Sequence, residues 1–340
     1  MNHPLITTLI PTYRRPELLK RAISSALAQT YPHIQIQVCD NASQDETEAV
    51  VRKFMKQDAR VQYHCHPQNI GMIGNYQWGL SQIKTPYFSF LSDDDILCPW
   101  FYEEVLRGFQ NHPECGFSAG SAIIMSEKGK AIRVPLDLWK KEGFLTAPDA
   151  LLEMIAKYPI PTCILFHRKV ISEIFIDMNN SLTWDCDFLI QIAARYPIFI
   201  SKRPCGIFLH HTSSYSKSQE LENWKCSWNK VAERINSLNG LEPEVKGAAL
   251  QLVKLDIKTK DRALIFRALL DKKFQDAIEH ARSFRENYGS DSKAWLFLIV
   301  TRACLWFPAV VILLKLFYQI RKQWNQRPYR SYEQYAKWMK

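Results

Sequence analysis

Three consecutive carboxylates, Asp93-Asp94-Asp95, follow directly on the apolar run Tyr87-Phe88-Ser89-Phe90-Leu91 and Ser92. Side by side they repel one another, so they call for a cation or hydrogen-bond donors close by. Hard divalent ions such as Mg²⁺ or Mn²⁺ take oxygen ligands, using one or two protein carboxylates while substrate phosphates fill other positions. Such an ion acts as a Lewis acid toward a leaving diphosphate. The bland alternative is a solvated acidic turn capping a helix that follows Pro99-Trp100. A second cluster, Trp184-Asp185-Cys186-Asp187, offers two further acids, readable as a general base or as helix N-terminal residues favoured by the dipole. His210 and His211, ahead of Thr212-Ser213-Ser214, could ligate a metal or donate to a phosphate, or be structural.

Stepping along the chain, residues 1 to about 110 alternate strand and helix signals. Leu5 to Ile10 is a continuous apolar and β-branched run, as in a strand buried on both faces. Pro16 suits the first turn of a helix, and Leu18, Leu19, Ala22, Ile23, Ala26 and Leu27 recur with helical period. Ile34, Ile36 and Val38 predict a second strand ending at Cys39-Asp40-Asn41; Ala49 to Met55 predict a helix, 61–66 a strand, 75–83 a helix and 87–91 a fourth strand. Repeated β-α-β units imply an α/β fold with a largely parallel sheet, whose ligands bind beyond the strands' carboxyl ends. Asp40 and the 93–95 triplet both fall at such ends.

Residues from about 111 to 218 mix strands, helices and turns and read as the second half of one domain, 1–218. From 219 to 340 the pattern is helical. Within it, Ala294 to Leu314 is apolar apart from interruptions such as Thr301 and Arg302, and contains Pro308. From Lys315 onward, seven Lys/Arg face one acid, Glu333, a surplus of six out of the chain's net +10. The basicity is thus largely a tail property, which argues against a nucleic-acid partner. A spanning helix needs about 20 apolar residues. The segment reaches that length only by accepting an arginine and a proline, so an interfacial pair of helices, with the basic tail held by an anionic membrane surface, is the preferred reading. A buried helical hairpin or a homodimer contact would use the same residues. Nine scattered cysteines without a CxxC pair fit a reducing, cytoplasmic compartment, and the N-terminus lacks the basic region of a secretory signal.

Several blocks together resemble the opening of glycosyltransferase family 2: Ile10-Pro11-Thr12-Tyr13-Arg14-Arg15-Pro16, Ser25 to Tyr31, Val38-Cys39-Asp40-Asn41 to Thr47, Asn69-Ile70-Gly71 with Gly74-Asn75, and Phe90 to Asp95. The resemblance covers residues 5 to about 100 and thins toward 215. It implies a GT-A, Rossmann-like fold and a nucleotide-diphosphate sugar donor, with Pro11, Thr12 and Tyr13 lining the base pocket, Asp40 bonding the nucleoside and Asn69 near the base. Asp93 would face the ribose and Asp94 would be the principal metal ligand, with Asp95 nearby; His211 would reach the metal or diphosphate. Ser92 stands where the family more often has an acid, leaving open whether it or Asp93 meets the ribose. Trp184-Asp185-Cys186-Asp187 resembles the later acidic motif, which implies Asp185 as the base of an inverting transfer, with Asp187 the alternative. Trp184 replaces that motif's usual preceding acid. The implied acceptor is a glycan or lipid-linked hydroxyl, in polysaccharide or glycolipid assembly on the inner face of the cytoplasmic membrane. Two other classes compete: a nucleotidyltransferase, which would want a glycine-rich phosphate loop where Pro11 to Pro16 has none, and a non-catalytic glycan- or membrane-binding relative, against which the joint presence of Asp40, Asp94 and Asp185 speaks.

Overall fold

The N-terminal apolar run forms β1 (Ile6–Thr12), all of whose residues are buried. The side chains divide by parity: Leu9 enters a core on one sheet face, Ile6 and Ile10 a core on the other. The structure is a computed structural model that describes residues 3–174, 176–180, 182–211, 221–289, 292–307 and 309–339; Thr212 to Ser214 and Pro308 lie outside the described residues. After β1 come α1 (Pro16–Leu27), β2 (Ile34–Asp40), α2 (Thr47–Gln57), β3 (Val61–Cys65), α3 (Met72–Ser81) and β4 (Tyr87–Phe90). These match the strand and helix alternation read from the sequence. Strands β1, β2, β3 and β4 are mutually parallel, and the register sets Thr12 beside Asp40 at the carboxyl ends. A Cβ at Gly79 would lie 2.5 Å from the Leu9 side chain, so glycine lets α3 approach β1 closely.

The second half is mixed. It comprises β5 (Ile96–Leu97), α4 (Phe101–Asn111), β6 (Phe117–Ser126), β7 (Ala131–Arg133), β8 (Gly143–Leu145), α5 (Ala147–Lys157), β9 (Ile164–His167), α6 (Trp184–Ala193) and β10 (Ile198–His210). The sheet order is β3-β2-β1-β4-β9-β6-β10-β5, with β7 on β6 and β8 on β10. β9 runs antiparallel to both β4 and β6, while β6 and β10 pair in parallel. The result is an α/β fold with a central sheet flanked by helices. All nine cysteines are free.

The helical region contains α7 (Leu221–Ser237), α8 (Pro243–Leu270), α9 (Phe274–Asn287), α10 (Ser292–Trp306) and α11 (Val310–Gln326). A division near 218 falls beside residues outside the described ones, and packing crosses it. Trp228, Val231 and Ile235 of α7 and Val253 and Ile257 of α8 share the core of Phe88, Phe90, Trp184 and Phe188. A separate cluster begins only in the second half of α8, where Ile265 and Leu269 pack with Phe284, Phe297 and Val311.

The basic C-terminal stretch is not a free tail. Arg327–Met339 forms a 3₁₀ segment. Tyr329, Tyr332, Tyr335 and Trp338 recur every third residue, the period that places them on one 3₁₀ face. That face packs on Ile96, Ile123, Met125 and Ile207 of the central sheet and on Val134 just after β7. Tyr332 donates to Asp137 at 2.9 Å, and the Trp338 ring lies 6.2 Å from that of Trp100. The segment is a strap that returns the chain to the first domain.

Candidate active site

Three loops at the carboxyl ends of β1, β2 and β4 converge. The β1 and β2 loops hold Arg14, Ala42 and Gln44 at positive φ of 55°, 61° and 55°. Non-glycine residues seldom adopt this conformation, and it clusters at functional loops. Asp40 is buried and pins its own turn: Oδ1 accepts from the Ser43 backbone N–H at 2.9 Å and from Ser43 Oγ at 2.5 Å, and Oδ2 from the Tyr63 hydroxyl at 2.7 Å. The Arg14 backbone N–H donates to Ser43 Oγ at 2.9 Å, tying the β1 loop to the β2 loop. Pro11 and Thr12 are buried, whereas the Tyr13 ring is exposed with the Arg14 guanidinium 5.0 Å from its centroid. Exposed Asn69 accepts from Asn41 Nδ2 at 3.0 Å and from the Gly71 N–H at 2.8 Å. That Gly71 stands at φ +79° at the entrance of α3, which glycine allows.

The acidic triplet points three ways. Asp93 turns back to β1, accepting from Thr12 Oγ1 at 2.8 Å and from Arg15 Nη1 at 3.2 Å. Burial, with Asp94 adding to it, pushes its carboxyl up to about 6, against the pull of Arg15 and Thr12. Asp94 stays more open, and its Oδ2 meets Arg15 Nη1 and His211 Nε2, both at 2.9 Å. Asp95 is fully buried: Oδ2 accepts from Thr162 Oγ1 at 2.5 Å and Oδ1 from the Leu209 N–H at 3.0 Å. Burial and the neighbouring Asp94 raise its carboxyl well above the usual range. Both Asp95 oxygens accept bonds inside the protein, clamping the β4 end to β10 and to the segment before β9, whereas Asp94 faces outward to Arg15 and His211.

Arg15 is the residue that the sequence reading passed over. It sits in the quoted Arg14-Arg15-Pro16 block, immediately ahead of α1, and its guanidinium bridges Asp93 and Asp94. A cation placed just after a strand end that faces an acidic triplet was the available signal. His211, at the end of β10, is buried against Asp94. Beside it a cleft of about 750 Å³ is lined by Leu18, Arg21, Ser25, Leu209, Trp338 and Met339, so the strap forms one of its walls.

Asp185 and Asp187 open α6 and separate cleanly. Asp187 is buried and accepts from Arg234 Nε of α7 at 2.9 Å and from Gln191 Nε2 at 3.3 Å. Asp185 keeps a partial opening to solvent; its Oδ1 accepts from the neighbouring Cys186 N–H at 2.8 Å, and its carboxylate also accepts from its own backbone N–H. The surrounding protein pushes its carboxyl up to about 6. Trp184 anchors this helix start, its ring 4.5 Å from Tyr76 and 5.8 Å from Phe90 of β4. Tyr76 in turn bonds Ser92 and lies in the field of Asp93, Asp94 and Asp95. The tryptophan that replaces an acid is thus the packing link between the two acidic clusters.

Among the described residues, no group of three or more His, Cys, Asp or Glu could enclose a metal by itself. Asp94 and His211 nonetheless fit a Mg²⁺ or Mn²⁺ whose remaining positions come from a bound diphosphate, since such ions use few protein ligands.

Comparison with known proteins agrees with this architecture. A sequence profile of Glycosyl transferase family 2 matches residues 7–175. A Campylobacter jejuni GalNAc(5)-diNAcBac-PP-undecaprenol beta-1,3-glucosyltransferase is 38% identical over 96 residues, 28% of this chain and 31% of that protein. The chain spans 37%, 14% and 22% of the first curated relatives it matches, Rickettsia proteins described as uncharacterized glycosyltransferases and 33–36% identical. Staphylococcus aureus TarS 1-349 in complex with UDP-GlcNAc superposes with a TM-score of 0.64 at 16% identity, covering 82% of this chain and 80% of that one. The mannosyltransferase PcManGT from Pyrobaculum calidifontis, in complex with GDP-Man and Mn²⁺, gives 0.56 at 15% identity, covering 96% and 87%. The fold is GT-A, and the chain belongs to glycosyltransferase family 2.

Proposed function

We propose that the chain transfers a sugar from a nucleotide-diphosphate sugar to an acceptor hydroxyl, dependent on Mg²⁺ or Mn²⁺ and with inversion at the anomeric carbon. The observation that carries this reading is the Asp94 Oδ2 atom, shared by Arg15 and His211 at the carboxyl end of the parallel sheet. Tyr13 would cover the base, with Pro11, Thr12 and Asn69 around it; Asp40 would keep the base loop in shape, and Asp93 would meet the ribose. Asp94 and His211 would hold the metal, which when bound offsets charge on the leaving diphosphate. Arg15 would move between the acids and a phosphate. The donor complexes of the two structural neighbours, one with Mn²⁺, support the same reading.

Asp185 would take the proton of the acceptor hydroxyl as that oxygen bonds to the anomeric carbon. The bond from that carbon to the diphosphate oxygen breaks, and its electron pair leaves with the diphosphate. One displacement inverts the centre. A carboxylate raised to about 6 is still ionised at neutral pH and is a stronger base than an ordinary aspartate. The acceptor would be a glycan or lipid-linked sugar, a reading supported by the name of the Campylobacter relative, and the enzyme would then lie peripherally at the inner face of the cytoplasmic membrane. The test is Asp185→Asn, expected to bind nucleoside diphosphate like the wild type while releasing none from a sugar nucleotide in the presence of acceptor. Near-normal turnover in that variant would remove Asp185 as the base.

A further inference from the structure

We propose that the α10–α11 hairpin docks on an anionic phospholipid surface, with the outer face of α11 inserted at the headgroup boundary. The proposal deepens the peripheral placement given above and rests on it for its purpose, but its argument lies in the polarity of the hairpin itself.

Leu313, Leu316, Phe317, Ile320 and Trp324 follow the i, i+3, i+4, i+7, i+11 spacing of one helical face. In a globular protein that face turns toward the core. Here α11 is the other way out. Gln319, Gln323 and Gln326 line a cleft with Ser126, Lys130 and His210 of the catalytic domain, while Phe317 and Trp324 are each 65% exposed. Helix α10 is apolar on both sides: Ala294, Phe297, Leu298 and Cys304 pack inward, and Trp295 and Ile299 face out. Trp306, 79% exposed, and Phe307, 68% exposed, end that helix and open the turn to α11. A contiguous apolar surface of this kind marks an interaction site.

Charge selects the occupant. The hairpin itself, residues 292–326, holds five Lys/Arg and no acid. Arg302 and Arg321 are exposed on the hairpin, and guanidinium groups stack on the apolar side chains at two places, Arg285 at 3.8 Å from the Trp295 ring and Arg327 at 4.5 Å from the Trp324 ring. Tryptophan and arginine together suit a headgroup layer. A second copy, paired about a two-fold axis, would set basic rim against basic rim. No described helix is long and apolar enough to cross a membrane, which fits helices lying in the interface plane. Through the cleft it shares with His210, α11 abuts the strand end that carries His211, so docking would hold the active site beside the lipid surface.

Flotation of the full chain with vesicles of equimolar phosphatidylglycerol and phosphatidylcholine, and with phosphatidylcholine alone, tests this without using donor or turnover. The expected result is binding to the anionic vesicles and at least about tenfold weaker binding to the neutral ones. Combined Phe317→Ser, Ile320→Ser and Trp324→Ser changes exposed residues only. It should abolish flotation while the melting temperature and metal-dependent nucleotide binding stay at wild-type values. Absence of flotation with both vesicles overturns the proposal, and equal binding to both overturns its anionic part. A wild-type dimer that the same substitutions split would assign the face to a second copy. Transfer activity without flotation, or flotation without nucleotide binding, tells the failure of one reading from that of the other.

Discussion

The Oδ2 atom of Asp94 receives Arg15 and His211 together, and the consequences can be measured at single side chains. Arg15 bridges Asp93 and Asp94, and on the proposed reading it would turn to a diphosphate once a metal takes its place. Arg15→Met is expected to weaken nucleoside diphosphate binding about tenfold, the scale of one charge-assisted hydrogen bond, as read by calorimetry. The proposed role of Asp185 as the base implies a pH dependence. Burial raises its pKa to about 6, and the ionised form would take the proton, so turnover should fall as pH drops through about 6 and level off above it. A rate profile flat down to about pH 4, the range of an unperturbed aspartate, would contradict the assignment.

At the scale of elements, the acids that look alike in sequence do different work. Asp187 pairs with Arg234 and joins α6 to α7; its own burial raises its pKa while Arg234 lowers it. Arg234→Leu leaves that carboxylate buried without its partner and should cost about 3–5 kcal/mol in urea unfolding, less whatever protonation of Asp187 recovers. Asp95→Ala should cost about 1–3 kcal/mol, because the Leu209 N–H and Thr162 hydroxyl lose their acceptor. Metal-dependent nucleotide binding by the folded variant should persist; its loss would place Asp95 at the metal site. Much of the first half was legible in advance. The run Leu5 to Ile10 is apolar on both parities, and the helical spacing of Leu19, Ala22, Ile23 and Ala26 gave α1 its buried face. The direction of each carboxylate was not legible, since adjacent residues in a turn are aimed by contacts far away in sequence, Thr12 for Asp93, His211 for Asp94 and Thr162 for Asp95. In the sequence Trp184 only replaces the acid that usually precedes the later motif; its packing on Tyr76 and Phe90 is visible only where α3, β4 and α6 meet.

At the scale of the whole molecule, the C-terminal half is wound into the catalytic unit rather than appended to it. Helices α7 and α8 complete the core beneath Asp185, and the strap closes the far side of the sheet. Helical periodicity from 219 onward was visible in sequence, but the strap was hidden, because a three-residue aromatic spacing fits neither the helix nor the strand template. Deleting the strap after Gln326 would uncover Ile96, Ile123 and Ile207 and open the cleft beside His211. A lowered melting temperature is expected, and an unchanged one would mean that the strap is dispensable.

The proposed metal-dependent diphosphate site is built on Asp94 and His211. Calorimetric titration of UDP and GDP into the full chain, with Mn²⁺ and then with excess chelator, tests it most directly. Binding of at least one nucleotide that requires Mn²⁺ in the wild type and disappears in Asp94→Ala is the predicted result. Equal binding with chelator, or in a folded Asp94→Ala variant, would contradict it.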